Sequence, residues 1–556
     1  MTDKIFYITT PLYYVNDELH IGHATTTLYA DTMARFKRLD GYDVRFLTGS
    51  DEHGQKIFKA AAKQNITPKQ LADRIVGKFL DVWEVMGIEY DQFIRTTDPY
   101  HETTVKALFG QIQSNELIYK GTYRALYCTD CEQAYSPSML VDGKCPIHKT
   151  EPVHLDEENY FFSLSKFTQL LRLRLDDEKM SDAERTEAQG FADALGLKIT
   201  PDASSITPES RRNEVLGKLR EGLEDTSISR TAFDWGVGMP GDEKHVIWVW
   251  FDALINYVSA LMKPAVEALG EDAQPSLAEL RDNADFQRYW PEVHHLIGKD
   301  ILWHHSVVWW SMLLAASIQP PASVFAHGWW TVEGDKMSKT LGNVIKPGEV
   351  VEKYGRDQLR YFVLLEGPAK GDADWRHERF IGALNGELAG TLGNLLSRTL
   401  GMSGKYHDGV VPEPDANASG VTGEGAADLE AIAKALPEKL RARIDAYDFT
   451  GALGDIFALA NRANKYIDDT KPFKLAKDES DEAKAELAHV MHALFQTLRV
   501  LSGVLIPFLP EAAPRMREQL GLSEVPATLD STCEWSASYP GTQTTKGEGL
   551  FPRIDE

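Results

Sequence analysis

Cysteine is scarce in this sequence, with 4 among 556 residues, and three of the four fall in one short stretch. That distribution excludes the disulfide framework of a small secreted domain. Long apolar runs are lacking as well, since the longest uncharged apolar stretch, Val307 to Ile318, is too short to span a bilayer. The first residues, Met1 to Lys4, lead straight into a strand-like run with no signal peptide. We therefore expect a cytoplasmic protein that does not associate with membranes.

An excess of basic residues is also absent. The chain has 59 Lys and Arg against 83 Asp and Glu, which gives a net charge of -24. Proteins that bind nucleic acid non-specifically are usually basic, so DNA is not an expected partner, and an RNA partner would require a local basic stripe. We take the acidity as favouring solubility. With 43% hydrophobic and 26% charged residues, a chain of this length predicts roughly three or four globular domains.

A Walker-type phosphate loop is missing, because no Gly-Lys pair is followed by Ser or Thr. The sequence has instead two separated basic motifs, His-Ile-Gly-His at His20 to His23 and Lys-Met-Ser-Lys-Thr at Lys336 to Thr340. Two such cationic clusters, His20 with His23 and Lys336 with Lys339, suit the task of holding the triphosphate of ATP while charge develops at its α-phosphorus. Gly22 would let a base or ribose lie on the backbone. Each motif alone is equally typical of a histidine-capped helix or a solvated basic turn.

The order of elements around the first motif predicts a parallel sheet. Ile5 to Val15 is typical of a strand that runs into a loop, His20 to Leu39 of a helix, and Asp43 to Thr48 of a second strand. Strand, helix and strand in this order place a ligand at the carboxyl ends of the strands. Further strand-like runs predict the completion of this sheet: His245 to Trp250, His294 to Ile297 and Val324 to Ala326.

Helical patterns dominate the C-terminal part. Residues Asn385 to Leu509 are nearly all amphipathic helix, which predicts an antiparallel bundle, and Glu511 to Glu556 should wrap its surface. The acidic segment Asp176 to Thr200 is predicted to form a surface helical hairpin inserted in a loop, and we assign it no role.

Three cysteines and a histidine have the spacing of a closed zinc site. Cys128 and Cys131 form one pair, and Cys145 and His148 form the other, each with two residues between. Four filled positions leave no open coordination place, so the predicted Zn²⁺ is structural. The alternative is three reduced cysteines in a core. Cys533 stands apart and is predicted to be buried.

Several segments, together with both basic motifs, resemble the methionyl-tRNA synthetases, a family of class I aminoacyl-tRNA synthetases, over essentially the whole chain. The number of residues between the two motifs is too small for the large editing insert of the valine, isoleucine and leucine enzymes, and it suits the insert with a single zinc knuckle. The segments are Pro11 to Asn16, Thr48 to Gly54, Ser210 to Glu214, Val249 to Leu254 and Ile297 to Ile301.

This resemblance implies a Rossmann-like α/β catalytic domain, interrupted by a connective domain with a zinc knuckle and followed by an all-α anticodon-binding bundle. The implied boundaries are 1–118 with 237–326 for the catalytic domain, 119–236 for the connective insertion, 327–384 for the region with the lysine motif, and 385–556 for the bundle. The implied activity is ligation of methionine to tRNA(Met), with ATP and Mg²⁺, by a monomer.

The resemblance also implies site residues. The ATP-binding set is His20, Gly22, His23, Gly298, Asp300, Lys336, Ser338 and Lys339. The methionine-binding set is Leu12, Tyr14, Asp51, Trp250, Ala253, Leu254, Tyr257, Ile301, His305 and Trp309, with Asp51 on the ammonium group. The anticodon set is Asn394, Arg398, Pro472 and Phe473.

The chain departs from the family pattern at a few positions. Thr340 replaces the usual serine, Phe473 replaces a frequent tryptophan, and the runs Trp303 to His305 and Trp309 to Trp310 are bulkier than usual. Three other functions stay open on sequence grounds. They are a class I synthetase for another amino acid such as cysteine or valine, a non-catalytic tRNA-binding relative, and a small nucleotidyltransferase. Exchange of pyrophosphate into ATP with each amino acid would separate them.

Overall fold

The computed structural model describes residues 4–16, 18–129, 133–147, 149–270, 273–337, 342–415, 420–535 and 539–555. The strands are β1 (Ile5–Thr9), β2 (Tyr13–Tyr14), β3 (Asp43–Asp51), β4 (Gln92–Arg95), β5 (Ile118–Cys128), β6 (Gln133–Tyr135), β7 (Val153–Phe162), β8 (Ile206–Thr207), β9 (Thr226–Ser227), β10 (Ser229–Arg230), β11 (Val246–Ile247), β12 (Val293–Gly298), β13 (Ser323–His327), β14 (Trp330–Val332), β15 (Asp335–Lys336) and β16 (Ala373–Trp375).

Helices fill most of the remaining length. The α-helices are α1 (Ile21–Leu39), α2 (Gln55–Ala62), α3 (Pro68–Met86), α4 (Pro99–Ser114), α5 (Thr168–Arg174), α6 (Asp182–Ala194), α7 (Glu209–Glu221), α8 (Val249–Ala253), α9 (Asn256–Leu269), α10 (Leu277–Arg281), α11 (Ala284–Tyr289), α12 (Trp309–Ala315), α13 (Pro347–Tyr354), α14 (Arg356–Glu366), α15 (His377–Ala383), α16 (Asn394–Tyr406), α17 (Gly420–Asp445), α18 (Phe449–Thr470), α19 (Pro472–Leu475), α20 (Asp481–Val504), α21 (Ala512–Gln519) and α22 (Leu529–Cys533). Two π-helical stretches, His304–Val308 and Leu384–Gly393, lead into α12 and α16.

A parallel sheet forms the centre of the N-terminal half. Its strands run in the order β3–β1–β12–β13–β8, and both β2 and β4 pair with β3. The register aligns Thr9 with His295 and Gly298 with His327, so the strands end near one another. Ligands of parallel α/β sheets bind outside these carboxyl ends. The prediction of a parallel sheet from the first strands is confirmed.

One predicted strand of this sheet is wrong. Within the run His245 to Trp250, only Val246 and Ile247 are extended, and they pair with β10 in a separate two-stranded sheet. Val249 already begins α8. The run is apolar because it is buried, and a short buried run does not distinguish a strand from a helix. The main sheet is instead extended by β8. This strand has only two residues, too few to show the alternation that predicts a strand.

The segment inserted after the first part of the sheet contains an antiparallel sheet in the order β6–β5–β7–β9. The acidic segment that follows is also different from its prediction. It contains one helix, α6, which packs on α5, and not a hairpin of its own. Its buried face includes Ala188 and Ala192, which join the hydrophobic core beneath the main sheet. This segment is therefore packed against the half that contains the parallel sheet and is not merely a surface appendage.

The C-terminal half is the predicted antiparallel helix bundle, formed mainly by α16, α17, α18 and α20. One hydrophobic core joins this bundle to β1, α1 and α3 of the sheet half. Within the bundle, α17 extends from Gly420 to Asp445. Among the residues described, none of the helices combines the length and the apolar character that a bilayer crossing requires.

Candidate active site

The first basic motif caps α1. His20 is the residue before the helix, with an extended backbone, and its Nδ1 accepts a hydrogen bond from the Gly22 N–H at 3.1 Å. In return, Nδ1 of His23 accepts from the His20 N–H at 3.2 Å, and the two rings lie 3.9 Å apart. Because each Nδ1 is an acceptor, the proton of each neutral ring is on Nε2. The cap therefore leaves two Nε2–H donors at a helix N-terminus.

These imidazoles are neutral at pH 7, which corrects the sequence-based description of this cluster as cationic. Burial lowers the pKa of His20, and the nearby carboxylate of Asp300 only partly opposes that effect. Burial also holds the pKa of His23 well below its usual value, and the adjacent His20 adds to the shift. The pair can donate hydrogen bonds to an anion without carrying charge itself. Positive charge at this site must come from elsewhere.

The second basic motif begins in the short strand β15. Lys336 ends this strand with an exposed side chain, and Met337 packs against the first hydrophobic core. Ser338, Lys339 and Thr340 lie outside the described residues. The chain after them returns to the first motif, because the Ile21 N–H donates to the Ile345 carbonyl at 2.9 Å. The two motifs are thus brought to the same end of α1.

Gly298 and Asp300 lie where β12 ends, beside this pair of motifs. A Cβ at Gly298 would come within 2.6 Å of Asp300 Oδ1, so a larger residue there would displace this carboxylate. The effect of Asp300 on the pKa of His20 places that carboxylate near the first motif. The described members of the predicted ATP set therefore surround one region.

Most of the predicted methionine-binding residues share one environment. Leu254, Tyr257 and Trp309 are buried in the second hydrophobic core, and the partly buried residues Leu12, Tyr14, Trp250 and Ile301 pack against it. Ala253 and His305 are buried nearby, and Asp51 is buried at the end of β3. The register of β2 with β3 places Tyr14 opposite Asp51. The structure therefore brings an apolar wall and the carboxylate of Asp51 to one place.

The polar groups in this wall are hydrogen-bonded to each other. His305 Nδ1 lies 2.9 Å from the Ile301 carbonyl, so it donates there, and Nε2 accepts from the Tyr257 hydroxyl at 2.7 Å. Burial lowers the pKa of His305 to about 4 and raises that of Tyr257. Both groups are consequently neutral at pH 7. The ring of Trp309 packs 6.0 Å from Tyr257.

Two histidines of this wall were missed by the sequence predictions. His304 stacks on Trp250, with ring centroids 3.8 Å apart and an angle of 11° between the planes. His295 lies 4.1 Å from the Tyr257 ring and accepts from Trp309 Nε1 at 3.1 Å. Neither follows a recognisable motif. The signal that could have found His295 is its place in the apolar strand β12, where a polar side chain needs a buried partner.

A buried carboxylate behind the site was also missed. Asp252, between the predicted pocket residues Trp250 and Ala253, accepts from His53 at 2.7 Å and from His101 at 2.9 Å. Burial pushes the pKa of Asp252 upward, but the two imidazoles outweigh it and leave the pKa below its usual value. Burial opposes charge on His53 as well, yet Asp252 raises the pKa of His53 above normal. The pair ties α8 to the loop that follows Asp51.

The predicted anticodon residues lie at one end of the bundle. Asn394 is exposed at the start of α16, and Arg398, one turn later, forms an ion pair of 3.1 Å with Asp468 near the end of α18. The chain then turns at Lys471 into α19, where Pro472 is buried and Phe473 is 46% exposed. Aromatic, amide and guanidinium side chains are the kinds of group that bind unstacked bases.

Two of the four predicted zinc ligands belong to the described residues. Cys128 and Cys145 are buried together in a small cluster with Tyr135. Cys131 and His148 lie outside the described residues. Among the residues described, no group of three or more potential metal ligands is present. Cys128 lies in β5 and Cys145 in a turn 17 positions later. Their burial in one cluster fits the predicted ligand set.

Comparison with known proteins identifies the family. The family described as "tRNA synthetases class I (M)" matches residues 6–400, and the "Anticodon binding domain of methionyl tRNA ligase" matches residues 416–556. The chain belongs to the class I tRNA synthetases. Within that synthetase family it is 44% identical to the methionine–tRNA ligase of Caldanaerobacter subterraneus over 99% of this chain and 79% of that protein. It is 38% identical to the methionine–tRNA ligase of Bacillus subtilis over 100% and 78%.

Solved synthetase structures agree with this assignment. The methionyl-tRNA synthetase of Mycobacterium tuberculosis in complex with methionyl-adenylate has a TM-score of 0.86 and 36% identity, covering 99% of this chain and 100% of that chain. The apo form of that enzyme has a TM-score of 0.81 and 33% identity, covering 100% and 99%. The resemblance drawn from the sequence motifs is confirmed, as is the combination of an α/β catalytic part with a helical anticodon-binding part.

Proposed function

We propose that this synthetase ligates methionine to tRNA(Met) and so supplies both initiation and elongation of translation. One observation carries the proposal. The His20–His23 cap, the Gly298–Asp300 turn and the chain beyond Lys336 meet at the carboxyl end of a parallel sheet. They do so in a chain that resembles methionine–tRNA ligases along its whole length.

In the first step, a carboxylate oxygen of methionine attacks the α-phosphorus of ATP. An oxygen–phosphorus bond forms, the bond to the pyrophosphate oxygen breaks, and methionyl adenylate and pyrophosphate result. No protein nucleophile is needed, so catalysis consists of positioning and charge stabilisation. His20 and His23 donate through Nε2–H to phosphate oxygens, while Lys336 and Lys339 provide positive charge and Ser338 a hydroxyl. Gly22, Gly298 and Asp300 hold the adenosine.

In the second step, the 2′-hydroxyl of the terminal adenosine of the tRNA attacks the methionyl carbonyl carbon. The ester bond forms, the bond to AMP breaks, and the hydroxyl proton leaves with the phosphate of AMP. Asn394, Arg398, Pro472 and Phe473 bind the anticodon at the other end of the chain. Hydrogen bonds to base edges combined with stacking on Phe473 are the usual means of reading single-stranded bases.

Selection of methionine rests on the wall around Tyr257, Trp250 and Trp309. A thioether is polarisable and gains about a kcal/mol from contact with an aromatic ring. The Tyr257 hydroxyl donates its only proton to His305, so it has no second donor to offer a substrate. Asp51 binds the ammonium group of the substrate. His304 stacks on the indole of Trp250 and so fixes its orientation.

Two metals belong to this proposal. Mg²⁺ enters with ATP and neutralises charge on the phosphates. Cys128, Cys131, Cys145 and His148 would hold one structural Zn²⁺, and the burial of Cys128 together with Cys145 supports this set. The same proposal includes a monomer in the cytoplasm and the domain boundaries 1–118 with 237–326, 119–236, 327–384 and 385–556.

Exchange of pyrophosphate into ATP, measured with each of the twenty amino acids, tests the function. We expect exchange with methionine, followed by methionylation of tRNA(Met) but not of other tRNAs. Exchange that depends on cysteine or valine would assign a different class I synthetase. Binding of tRNA without any exchange would indicate a non-catalytic relative. Metal analysis on the same sample tests for one zinc per chain.

A further inference from the structure

Trp329 is an exposed tryptophan on a rigid piece of backbone beside the nucleotide region. Its indole is 44% exposed, whereas the neighbouring Trp330 is buried. The backbone is held on both sides, because the Trp329 N–H donates to Asp372 Oδ1 at 2.9 Å and its carbonyl accepts from Ala373 at 2.9 Å. The preceding Gly328 lies so close to Gly371 that a Cβ would come within 2.3 Å of its carbonyl oxygen. The ring is thus presented to solvent from a fixed position.

Charged groups of the nucleotide region surround this ring. The indole Nε1–H donates to Asp300 Oδ1 at 3.2 Å. The Lys336 ammonium lies 5.8 Å from the ring centroid and the Lys299 ammonium 4.4 Å from it. Lys299 is itself fixed by an ion pair of 2.6 Å with Asp372. One exposed side chain therefore contacts both the carboxylate proposed for the ribose and the first lysine of the second motif.

We propose that Trp329 is a positioning residue for ATP, which orients the Asp300 carboxylate so that it can accept from a ribose hydroxyl. This inference rests on the proposed function. A donor on Oδ1 fixes the rotation of the carboxyl group and leaves Oδ2 for the ligand. The contact with Lys336 shows that the ring faces the nucleotide region. Its contribution to the core is small, because nearly half of the side chain is exposed.

Two substitutions test the contributions of the indole N–H and of the aromatic ring separately. Trp329→Phe retains an aromatic face and removes the donor. Trp329→Gln removes the ring and retains an N–H donor at the same number of bonds from Cβ. Tyr119→Phe is the matched control, because Tyr119 lies in the antiparallel sheet, away from the site, and its hydroxyl donates to the Asp225 carboxylate at 2.7 Å.

The experiment is methionine-dependent exchange of pyrophosphate, with ATP, 2′-deoxy-ATP and 3′-deoxy-ATP as the varied substrates. For Trp329→Phe we expect the KM for ATP to rise about fivefold, with kcat and the KM for methionine unchanged. A change of this size lies within the range of interaction energies between residues of one hydrogen-bond network. Trp329→Gln should stay within about twofold of the unmodified protein. With the deoxy nucleotide that lacks the hydroxyl bound by Asp300, the effect of Trp329→Phe should disappear.

Several kinetic results would overturn the inference while the proposed function stands. They are an unchanged KM for ATP in Trp329→Phe, an equal rise in KM for ATP and both deoxy nucleotides, and a parallel rise in the KM for methionine. Equal defects in Trp329→Phe and Trp329→Gln would likewise assign the effect to loss of the native side chain and not to the N–H. Absence of exchange in the unmodified protein would instead contradict the proposed function.

Discussion

Arg360 Nη2 lies 2.7 Å from Asp31 Oδ2, and both side chains are fully buried between the catalytic sheet and the helix bundle. Asp31 belongs to α1, the helix capped by the first basic motif, and it also pairs with Arg35 at 2.8 Å. Arg360 additionally donates to the carbonyls of Pro507 and Phe508 beyond the end of α20. Burial lowers the pKa of Arg360, but its acidic neighbour stabilises the charged form. This arginine therefore connects the two halves of the protein.

Replacement of Arg360 by Met should destabilise the protein. The substitution leaves two buried carbonyls without their donor and removes one partner of a buried ion pair, at a cost of about 3–5 kcal/mol in the free energy of unfolding. Chemical denaturation measures this difference. Arg38→Met is the control, because Arg38 pairs with Asp91 at the surface and should cost less than about 1 kcal/mol. Equal effects of the two substitutions would contradict the role assigned to Arg360.

His23→Ala should slow formation of the adenylate while leaving methionine binding almost intact. The substitution removes one Nε2–H donor and also the acceptor of the His20 N–H. Loss of one such donor typically costs about 2.7–4 kcal/mol in the transition state, or roughly 100- to 1000-fold in kcat. Pyrophosphate exchange gives the rate, and equilibrium dialysis gives the methionine affinity. His154→Ala, at an exposed position of β7, serves as the control. An unchanged exchange rate would contradict the assignment.

The stabilisation from His53 should depend on pH. Asp252 raises the pKa of His53 above its unfolded value, so this contribution is complete below about pH 6.5 and is lost as pH rises through the higher folded value. Asp252 itself has a lowered pKa, and its contribution is lost only in acid, below about pH 4. The difference in Tm between the unmodified protein and His53→Gln should thus be largest near pH 5–6 and shrink toward pH 9. A difference that is constant over this range would refute the charged pair.

Zinc binding should require Cys128 and Cys145 but not Cys533. Cys533 is buried in the bundle, where burial raises the pKa of its thiol to about 12 and disfavours the thiolate that a metal needs. We expect one zinc per chain in the unmodified protein and in Cys533→Ser, and loss of zinc in Cys128→Ser and Cys145→Ser. Elemental analysis of purified samples measures the content. Zinc retained in both knuckle variants would contradict the ligand set.

Phe473→Ala should weaken recognition of tRNA without affecting activation of methionine. Stacking of a base on an aromatic ring is worth about 1–3 kcal/mol, so kcat/KM for tRNA should fall by roughly 5- to 150-fold. Pyrophosphate exchange without tRNA should be unchanged. Val525→Ala, at a position 73% exposed elsewhere in the bundle, is the control. A normal kcat/KM for tRNA in Phe473→Ala would remove this residue from the proposed anticodon surface.

The parts of this structure that follow from local signals were predictable from the sequence. The helix after His20 begins within one residue of its prediction, because the histidine cap and the apolar periodicity act within a few residues. The helical pattern of the bundle is a signal of the same kind. The prediction of a strand from His245 to Trp250 was wrong because this run is buried. A buried apolar run lacks the alternation of polar and apolar residues that distinguishes a strand from a helix.

Tertiary pairings explain the remaining differences. His53 and Asp252 are far apart along the chain, and no spacing indicates that they form one buried pair with His101. The stacking of His304 on Trp250 depends on how α8 meets the π-helical turn, which is set by packing. The neutral state of His20 and His23 follows from their burial, so it could be assigned only once the site was folded.

The helix α1 has a consequence for protein engineering. Its 19 residues extend about 28 Å from the histidine cap. At the other end, Lys37 in the last turn pairs with Asp445 at 2.6 Å, and Asp40, the residue after the helix, pairs with Arg441 at 2.6 Å. Lys37 and Asp40 are both buried, and both partners belong to α17. A chimera that takes its bundle from a relative must therefore provide matching partners for these two charges. Otherwise the side chains of Lys37 and Asp40 will be buried without a group of opposite charge.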